Sequence, residues 1–291
     1  MINKTNKYET LNNFPRGKNI LRYSEGGLRL NSVFKKNLPE KPLITIITVI
    51  FNGEKYFQET IDSIKKQTYK NYEFIVIDGG SKDKTIDIIK KNSNIIDYWI
   101  SEDDKGLYDA FNKGLRLAKG EFVGIINSDD TYEANALELL IKYIGLYPKV
   151  DFIFGSVRKH WGILHGYKPK KIKYSWGFYS SHSSGFFIRN TSAKRVGFYN
   201  LKYKYHADYD YFYRMIVKEK MVGVATKKME IFGNFRRGGF SSKANWLNLL
   251  KDEIMIRYDN GQNIFLIIFL LFYKLFFRII KKIKELFNIK N

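Results

Sequence analysis

Apolar and polar positions along this chain change period in a regular rhythm. Leu43-Ile44-Thr45-Ile46-Ile47-Thr48-Val49-Ile50-Phe51 is an almost unbroken β-branched run closed by Asn52-Gly53. A run of that length ended by a turn dipeptide predicts a strand buried on both faces. Phe57, Ile61 and Ile64 then recur at helical spacing as far as Gln67. A second strand, Tyr72 to Asp78, stops at Gly79-Gly80-Ser81, and helical spacing returns from Lys84 to Lys91. Asp97 to Ser101 reads as a third strand, Leu107 to Leu117 as a helix ended by Gly120, and Phe122 to Ile126 as a fourth strand running into Asn127. Strands and helices that alternate through short connections imply a parallel, doubly wound α/β sheet with right-handed crossovers. Ligands of such sheets sit beyond the carboxyl ends of the strands. Asn52, Asp78 and the Asn127–Asp130 group all fall there.

Past Asp151 the rhythm changes. Asp151 to Val157 predicts another strand, followed by an aromatic, basic and irregular stretch holding His160, Trp161, His165, Trp176 and His182. Gly185 to Arg189 reads as a strand, and Tyr205 to Lys218 as a helix with Tyr209, Phe212, Met215 and Ile216 on its apolar side. The chain therefore divides into an N-terminal arm over 1–42, a central domain over 43–243 with halves at 43–130 and 131–243, and a C-terminal segment over 244–291. The arm is polar and aperiodic, and is expected to pack on the domain or to be partly ordered.

Composition narrows the chemistry. The 291 residues contain no cysteine, which excludes disulfides, thiolate metal sites and a cysteine nucleophile. Lys and Arg number 50 against 29 Asp and Glu, a net charge of +21 that attracts polyanions: nucleic acid, anionic lipid or pyrophosphate-bearing substrates. No apolar segment of signal-peptide type stands at the N-terminus, so secretion is not expected. Near the other end, Ile264 to Phe272 is unbroken apolar, with Lys274, Arg278, Lys281, Lys282 and Glu285 following at three-to-four-residue spacing. That run is shorter than the ~20 residues a membrane span needs. It predicts a basic amphipathic helix lying in a membrane interface, its positive face toward anionic lipid. A span beginning at Ile264, or a helix docked on its own domain or on a second copy, are the alternatives.

The polar segments at the strand ends carry the candidate chemistry. Asn127-Ser128-Asp129-Asp130 places two carboxylates side by side. They repel each other without a counter-charge, and oxygen ligands of this kind suit Mg²⁺ or Mn²⁺ shared with substrate phosphates. The competing reading is a cap for the helix that begins near Ala134. Asp78-Gly79-Gly80-Ser81 joins a carboxylate to glycines that permit close approach, which suits a nucleoside or a plain strand-to-helix turn. Lys105 precedes a helix start, where free N–H groups and a cation can meet phosphate. A solvated helix start explains it equally. In His206-Ala207-Asp208-Tyr209-Asp210-Tyr211-Phe212-Tyr213-Arg214, Asp208 or Asp210 is either a base or a helix cap, and Asp210 can pair with Arg214 at i,i+4.

Taken together and in this order, these segments resemble glycosyltransferase family 2, inverting enzymes of GT-A fold. The resemblance rests on Thr45 to Asn52, Gln67-Thr68-Tyr69, Asp78 to Thr85, Trp99 to Gly114, Gly120-Glu121 and Asn127 to Asp130, and covers about Leu43 to Ser242. Trp99 to Gly114 is similar to a branch found in bacterial surface-polysaccharide clusters. The resemblance implies a mainly parallel mixed sheet with flanking helices, a nucleotide-sugar half over 43–130 and an acceptor half over 131–243. It further implies that Thr48, Asn52, Asp78, Lys105, Asn127 and Asp129 bind the nucleotide sugar, and that Asp129 and Asp130 hold Mn²⁺ or Mg²⁺. Asn127 stands where many members have Asp, so it serves the ribose rather than the metal. Asp208 is the implied base, with Asp210 the alternative. His182, Asp210, Arg236 and Arg237 are candidates near the acceptor or for the loop over the diphosphate. The implied partners are a nucleotide-sugar donor and a glycan or lipid-linked glycan acceptor; the C-terminal helix adds an anionic membrane surface at the cytoplasmic face of the inner membrane, and no nucleic acid is expected. A sugar-phosphate nucleotidyltransferase would need a Gly/Lys/Arg-rich loop after the first strand, where this chain has Asn52-Gly53-Glu54. A nucleic-acid-binding protein would need its basic residues in a stripe on the sheet domain, and they are spread through arm, acceptor half and tail.

Overall fold

The computed structural model describes residues 22–175, 183–238 and 245–286. Its strands are β1 (Arg22–Gly26), β2 (Ile44–Ile50), β3 (Tyr72–Asp78), β4 (Tyr98–Glu102), β5 (Phe122–Asn127), β6 (Thr131–Tyr132), β7 (Phe152–Phe154), β8 (Ser156–Lys159), β9 (Gly162–Leu164), β10 (Phe186–Arg189), β11 (Gly223–Ala225) and β12 (Ile231–Asn234). Its helices are α1 (Phe57–Lys65), α2 (Thr85–Lys91), α3 (Leu107–Leu117), α4 (Ala136–Leu146), α5 (Lys171–Tyr174), α6 (Asn190–Val196), α7 (Ala207–Tyr213), α8 (Trp246–Asp259) and α9 (Ile264–Leu286). The large sheet runs β1-β4-β3-β2-β5-β10-β7-β11, and a small one runs β6-β12-β8-β9.

β2 is buried along its whole length, as its β-branched run requires. On one face Ile47 and Val49 join Phe111 of α3 and the aromatic group of Phe152, Phe154, Phe186 and Phe212. On the other, Ile44, Ile46 and Ile50 meet Phe57, Ile61 and Ile64 of α1 and Leu137 and Leu140 of α4. Each such side chain contributes about 1.5–3 kcal/mol by burial. A Cβ on Gly114 would run into Ile47, so glycine there lets α3 lie close on the sheet. β4, β3, β2 and β5 are mutually parallel, as the alternating rhythm implies.

Three features add to or depart from the sequence reading. The arm, expected to pack on the domain or to be partly ordered, joins the sheet itself from residue 22 onward: β1 pairs antiparallel with β4 and extends it. Arg29, 5% exposed, lies inside the domain. It donates to Glu73 at 2.7 Å and to the Leu117 carbonyl at 3.0 Å, while Glu73 also accepts from Thr45 and Lys119. Non-local pairing of this kind leaves no periodic trace in the arm. Second, the strand expected over 151–157 divides at Gly155 between the two sheets, where the Phe232 ring occupies the place of a Cβ. Third, the helix expected over 205–218 is α7 followed by a π-helical turn, Arg214–Lys218.

The tail forms two helices, and its basic stripe turns inward rather than toward lipid at its first two positions. Lys274 pairs with Glu253 at 2.9 Å and Arg278 lies 3.7 Å over the Trp246 ring, both on α8, alongside buried Ile267 and Leu270. Phe265, Phe269, Phe272 and Phe276 face outward. No helix among the described residues is long and apolar enough to cross a membrane. α8 is bound into the domain through fully buried Arg257, which donates to the Lys173 and Ser175 carbonyls.

The Arg29–Glu73 pair supplies a test of the arm. Arg29→Met should lower the unfolding free energy in a urea titration by about 3–5 kcal/mol, because it strands a buried carboxylate. A loss under about 1 kcal/mol, the scale of an exposed ion pair, would mean the arm does not hold the sheet edge.

Candidate active site

The parallel register brings the polar strand ends together. Ile50 of β2 lies opposite Asp78 of β3, Val49 opposite Asn127 of β5, and Asp78 opposite Ser101 of β4. Neighbouring strands are about 4.8 Å apart, so the exits of β2, β3, β4 and β5 make one edge.

The exits of β2 and β3 are laced to each other. Asn52 has a left-handed backbone (φ 51°), a conformation Asn tolerates better than most residues. Its N–H donates to Ser81 Oγ at 2.7 Å, and its Oδ1 accepts from Lys82 N–H at 2.8 Å. Asp78 is fully buried. Its carboxylate accepts from the N–H groups of Gly80 and Ser81 and from the hydroxyls of Ser81 and Ser101. Asp78 thus holds the turn from within and presents no surface to a nucleoside. Thr48, also expected to line the donor pocket, is fully enclosed on the Ile46 side of β2, and its hydroxyl has no partner among the described residues. Two other side chains of the same edge keep some exposed surface, Phe51 much of it and Asp104 part of it. Phe51 is 64% exposed beside Gly79. Asp104 accepts from Gly106 N–H at 2.7 Å through Oδ1, while Oδ2 sits against Gly79 where a Cβ would be. Burial, helped by Asp109 and Asp78, raises the Asp104 pKa against Gly106 N–H and Lys113. Lys105 is exposed at the start of α3.

At the exit of β5 the two carboxylates of the expected pair differ in burial and in partners. Asp130 has no exposed surface. Its Oδ1 accepts from Arg236 N–H at 2.9 Å, its Oδ2 from Asn127 Nδ2 at 3.1 Å, and its carbonyl from Thr60 Oγ1 at 2.7 Å. Burial pushes its pKa up to about 7. Both oxygens thus accept hydrogen bonds from within the domain, an enclosure that the expectation of Asp130 as a metal ligand did not include. Asp129 is half-buried, with a pKa raised by burial. The described residues hold no group of three metal-ligating side chains. A divalent ion that keeps waters and takes one carboxylate plus substrate phosphates fits Asp129 alone. Asn127 also donates to Ser183 Oγ at 2.9 Å. Arg236 is committed here as well: its Nε donates to the Asp129 carbonyl at 3.1 Å, it pairs with Glu59, and it lies 3.9 Å over the Tyr56 ring. Arg237 is exposed, and His182 lies outside the described residues.

Two acidic residues of α7 are distinguished by their partners. Asp210, 2% exposed, pairs with Arg214 at 2.8 Å and accepts from Asn260 at 2.9 Å, so both its oxygens are taken. Asp208 is half-buried; Oδ1 accepts from Tyr209 N–H at 2.9 Å and from the Tyr108 hydroxyl at 3.2 Å. Its Oδ2 has no partner among the described residues. Burial raises the Asp208 pKa, opposed by His206 and by the Tyr209 and Tyr108 donors. A carboxylate with a raised pKa and a free oxygen is suited to accept a proton. Tyr108 stands two residues after Gly106 on α3, so it ties Asp208 to the strand-end edge. The sequence reading gives Phe51, Asp104 and Tyr108 no individual role, although Asp104 and Tyr108 lie in the Trp99 to Gly114 segment that carries the resemblance. Phe51, a large aromatic ending a buried run just before a turn, left the clearest signal.

Comparison with known proteins follows this geometry. The family model for Glycosyl transferase family 2 matches residues 45–212. An uncharacterised glycosyltransferase of Rickettsia typhi is 31% identical over 188 residues, 60% of this chain and 59% of its own length, so the chain spans about three-fifths of that relative. A PGL/p-HBAD biosynthesis glycosyltransferase of Mycobacterium bovis is 31% identical over 183 residues, 58% of this chain and 68% of its own. In fold, the chain is similar to S. aureus TarS solved with UDP-GlcNAc (TM-score 0.61, 18% identity, 74% of this chain and 65% of that one). It is also similar to the mannosyltransferase PcManGT of Pyrobaculum calidifontis solved with GDP-Man and Mn²⁺ (TM-score 0.57, 16% identity, 80% and 68%).

The division between Asp129 and Asp130 is open to calorimetry. Asp130→Ala should cost about 1–3 kcal/mol of stability, because it leaves the Arg236 N–H and Asn127 amide unpaired. Asp129→Ala should leave the melting temperature almost unchanged. Equal losses in the two variants would remove the distinction.

Proposed function

Since the chain belongs to glycosyl transferase family 2, we propose that it transfers a monosaccharide from a nucleoside diphosphate sugar to a hydroxyl of a lipid-linked glycan, with inversion, in building a surface polysaccharide. The observation that carries this reading is the free Oδ2 of Asp208, held against the strand-end edge by Tyr108, while Asp210 is consumed by Arg214 and Asn260.

In this scheme the nucleoside lies along the exits of β2, β3 and β4. Phe51 offers an aromatic face for the base, Asp104 Oδ2 accepts from a base or ribose N–H or O–H, and Asn52 and Asp78 keep the turn in shape. Asn127 faces the ribose, and Lys105 with the start of α3 meets phosphate. Asp129 would hold Mn²⁺ or Mg²⁺, whose charge would neutralise the departing diphosphate. Arg236 keeps the Asp129 backbone in place. Asp208 Oδ2 takes the proton of the acceptor hydroxyl as that oxygen bonds to the anomeric carbon. The bond from that carbon to the diphosphate oxygen breaks, and the nucleoside diphosphate leaves with its electron pair. One displacement inverts the centre.

The acceptor assignment draws support from the outward aromatic face of α9. That face would lie in the interface of the cytoplasmic leaflet, burying apolar rings at the depth where a lipid-linked sugar is presented. The protein would then be peripheral at the inner membrane.

The central test is turnover. Asp208→Asn should reduce transfer by about 10²–10⁴-fold, the range of a lost general base, while a nucleotide sugar with Mn²⁺ still raises the melting temperature as in wild type. If no UDP-, GDP- or dTDP-sugar stabilises the wild-type protein with or without metal, the donor site is not where we put it. Membrane contact has its own measure. Gln262 is buried and bonded to Arg257 and Lys173, so a chain ended after Asn263 keeps the bonds that fasten α8 to the domain and loses the contacts of α9 with α8. It should move from the membrane to the soluble fraction and keep donor binding. An unchanged distribution would reject the role of α9.

A further inference from the structure

β1 lies outside the residues matched by the family model, yet it reaches the edge that the proposed donor occupies. Tyr23 is the residue that does so. It is 47% exposed on an edge strand, so core burial does not account for it. Its hydroxyl donates to Asp103 Oδ1 at 2.7 Å, on the exit of β4. Its ring edge stands 2.8 Å from where a Cβ on Gly80 would be, on the exit of β3. The Lys82 ammonium lies 4.3 Å over the same ring. One aromatic side chain therefore touches both loops that flank Asp104.

Neighbouring contacts tighten the same place. Arg22, next to Tyr23, pairs with buried Glu102 at 3.1 Å. Glu102 pairs with Lys113 at 3.0 Å, and Lys113 donates to the Asp103 carbonyl at 2.7 Å. Gly80 has φ +81°, a conformation that L side chains rarely adopt, so glycine both allows the turn and leaves room for the ring. The exit of β4 is thus held through its backbone by Lys113 and through its side chain by Tyr23. Asp104 is the next residue along.

We propose that Tyr23 is a positioning residue of the donor site: it clamps the Gly79–Ser81 turn to Asp103 and so sets the slot in which Phe51 and Asp104 receive the nucleoside. This rests on the transferase reading above and adds to it a segment that precedes the family domain. Tyr23 acts on binding of the nucleoside half of the donor. Proton transfer at Asp208 belongs to the other half and is left alone.

Steady-state kinetics with a nucleotide sugar that the wild-type protein turns over separates these effects, together with inhibition by the corresponding free nucleoside diphosphate. Tyr23→Ala should raise KM for the donor and Ki for the nucleoside diphosphate by about tenfold, with kcat within about twofold, the signature of lost uniform binding. Tyr23→Phe keeps the ring and loses only the bond to Asp103, and should show a smaller rise in the same two constants. A purely structural role would lower the melting temperature and the active fraction while leaving KM and Ki alone. That result, or a fall in kcat at constant KM, overturns the proposal. Should Tyr23→Ala not fold, Tyr23→Phe decides by the same constants, and constants equal to wild type overturn it. Failure of the wild-type protein to bind or turn over any nucleotide sugar is a different outcome: it removes the transferase reading, and the clamp at this site with it.

Discussion

The structure depends on one constraint: β2 is buried on both faces and runs parallel to both its neighbours. A strand enclosed in that way must satisfy its backbone through adjacent strands, because no water reaches it. Parallel partners in turn force each connection to cross over through a helix. All three chains then leave the sheet at the same edge. Asn52, Asp78 and Asn127 are brought together by this geometry before any of them makes a contact of its own. The edge exists because the apolar run from Ile44 to Ile50 has nowhere else to go.

Given that edge, hydrogen bonding divides its carboxylates. Asp78, Asp130 and Asp210 have almost no exposed surface, and each is met by several donors. A buried carboxylate is tolerable only when paired in this way. Asp104, Asp129 and Asp208 remain partly open, and all three have pKa values raised chiefly by burial. Enclosed and partly open acids thus stand next to one another in pairs along the chain: Asp129 beside Asp130, Asp208 two residues before Asp210. In each pair the committed residue anchors the backbone that carries the free one.

The C-terminal helices follow a similar division. The cations of α9 at positions 274 and 278 turn toward Glu253 and Trp246 of α8, and α8 is fastened to the domain by Arg257. Asn260, just past α8, also holds Asp210 on the helix that bears Asp208. The tail is therefore packed on the 131–243 half of the domain as well as forming a surface. What it leaves outward is a row of aromatic rings, with Lys281 and Lys282 exposed beyond them.

How much of this was legible in the chain follows from the range of the forces involved. Local periodicity determined β2, β3, β5, α1 and α3 to within a residue or two, and with them the parallel sheet, because burial repeats at the period of the element itself. Motif order pointed to the family and to Asp208. The tertiary structure alone decided that residues 22–26 are a strand of the sheet, since β1 is held by partners some 80 residues away. It also showed which of Asp129 and Asp130, and which of Asp208 and Asp210, is enclosed by donors. Carboxylates one or two positions apart look alike in a sequence. What separates them is which distant N–H or guanidinium arrives to occupy their oxygens, and that is known only when Arg236, Arg214 and Asn260 have been brought into place by the fold.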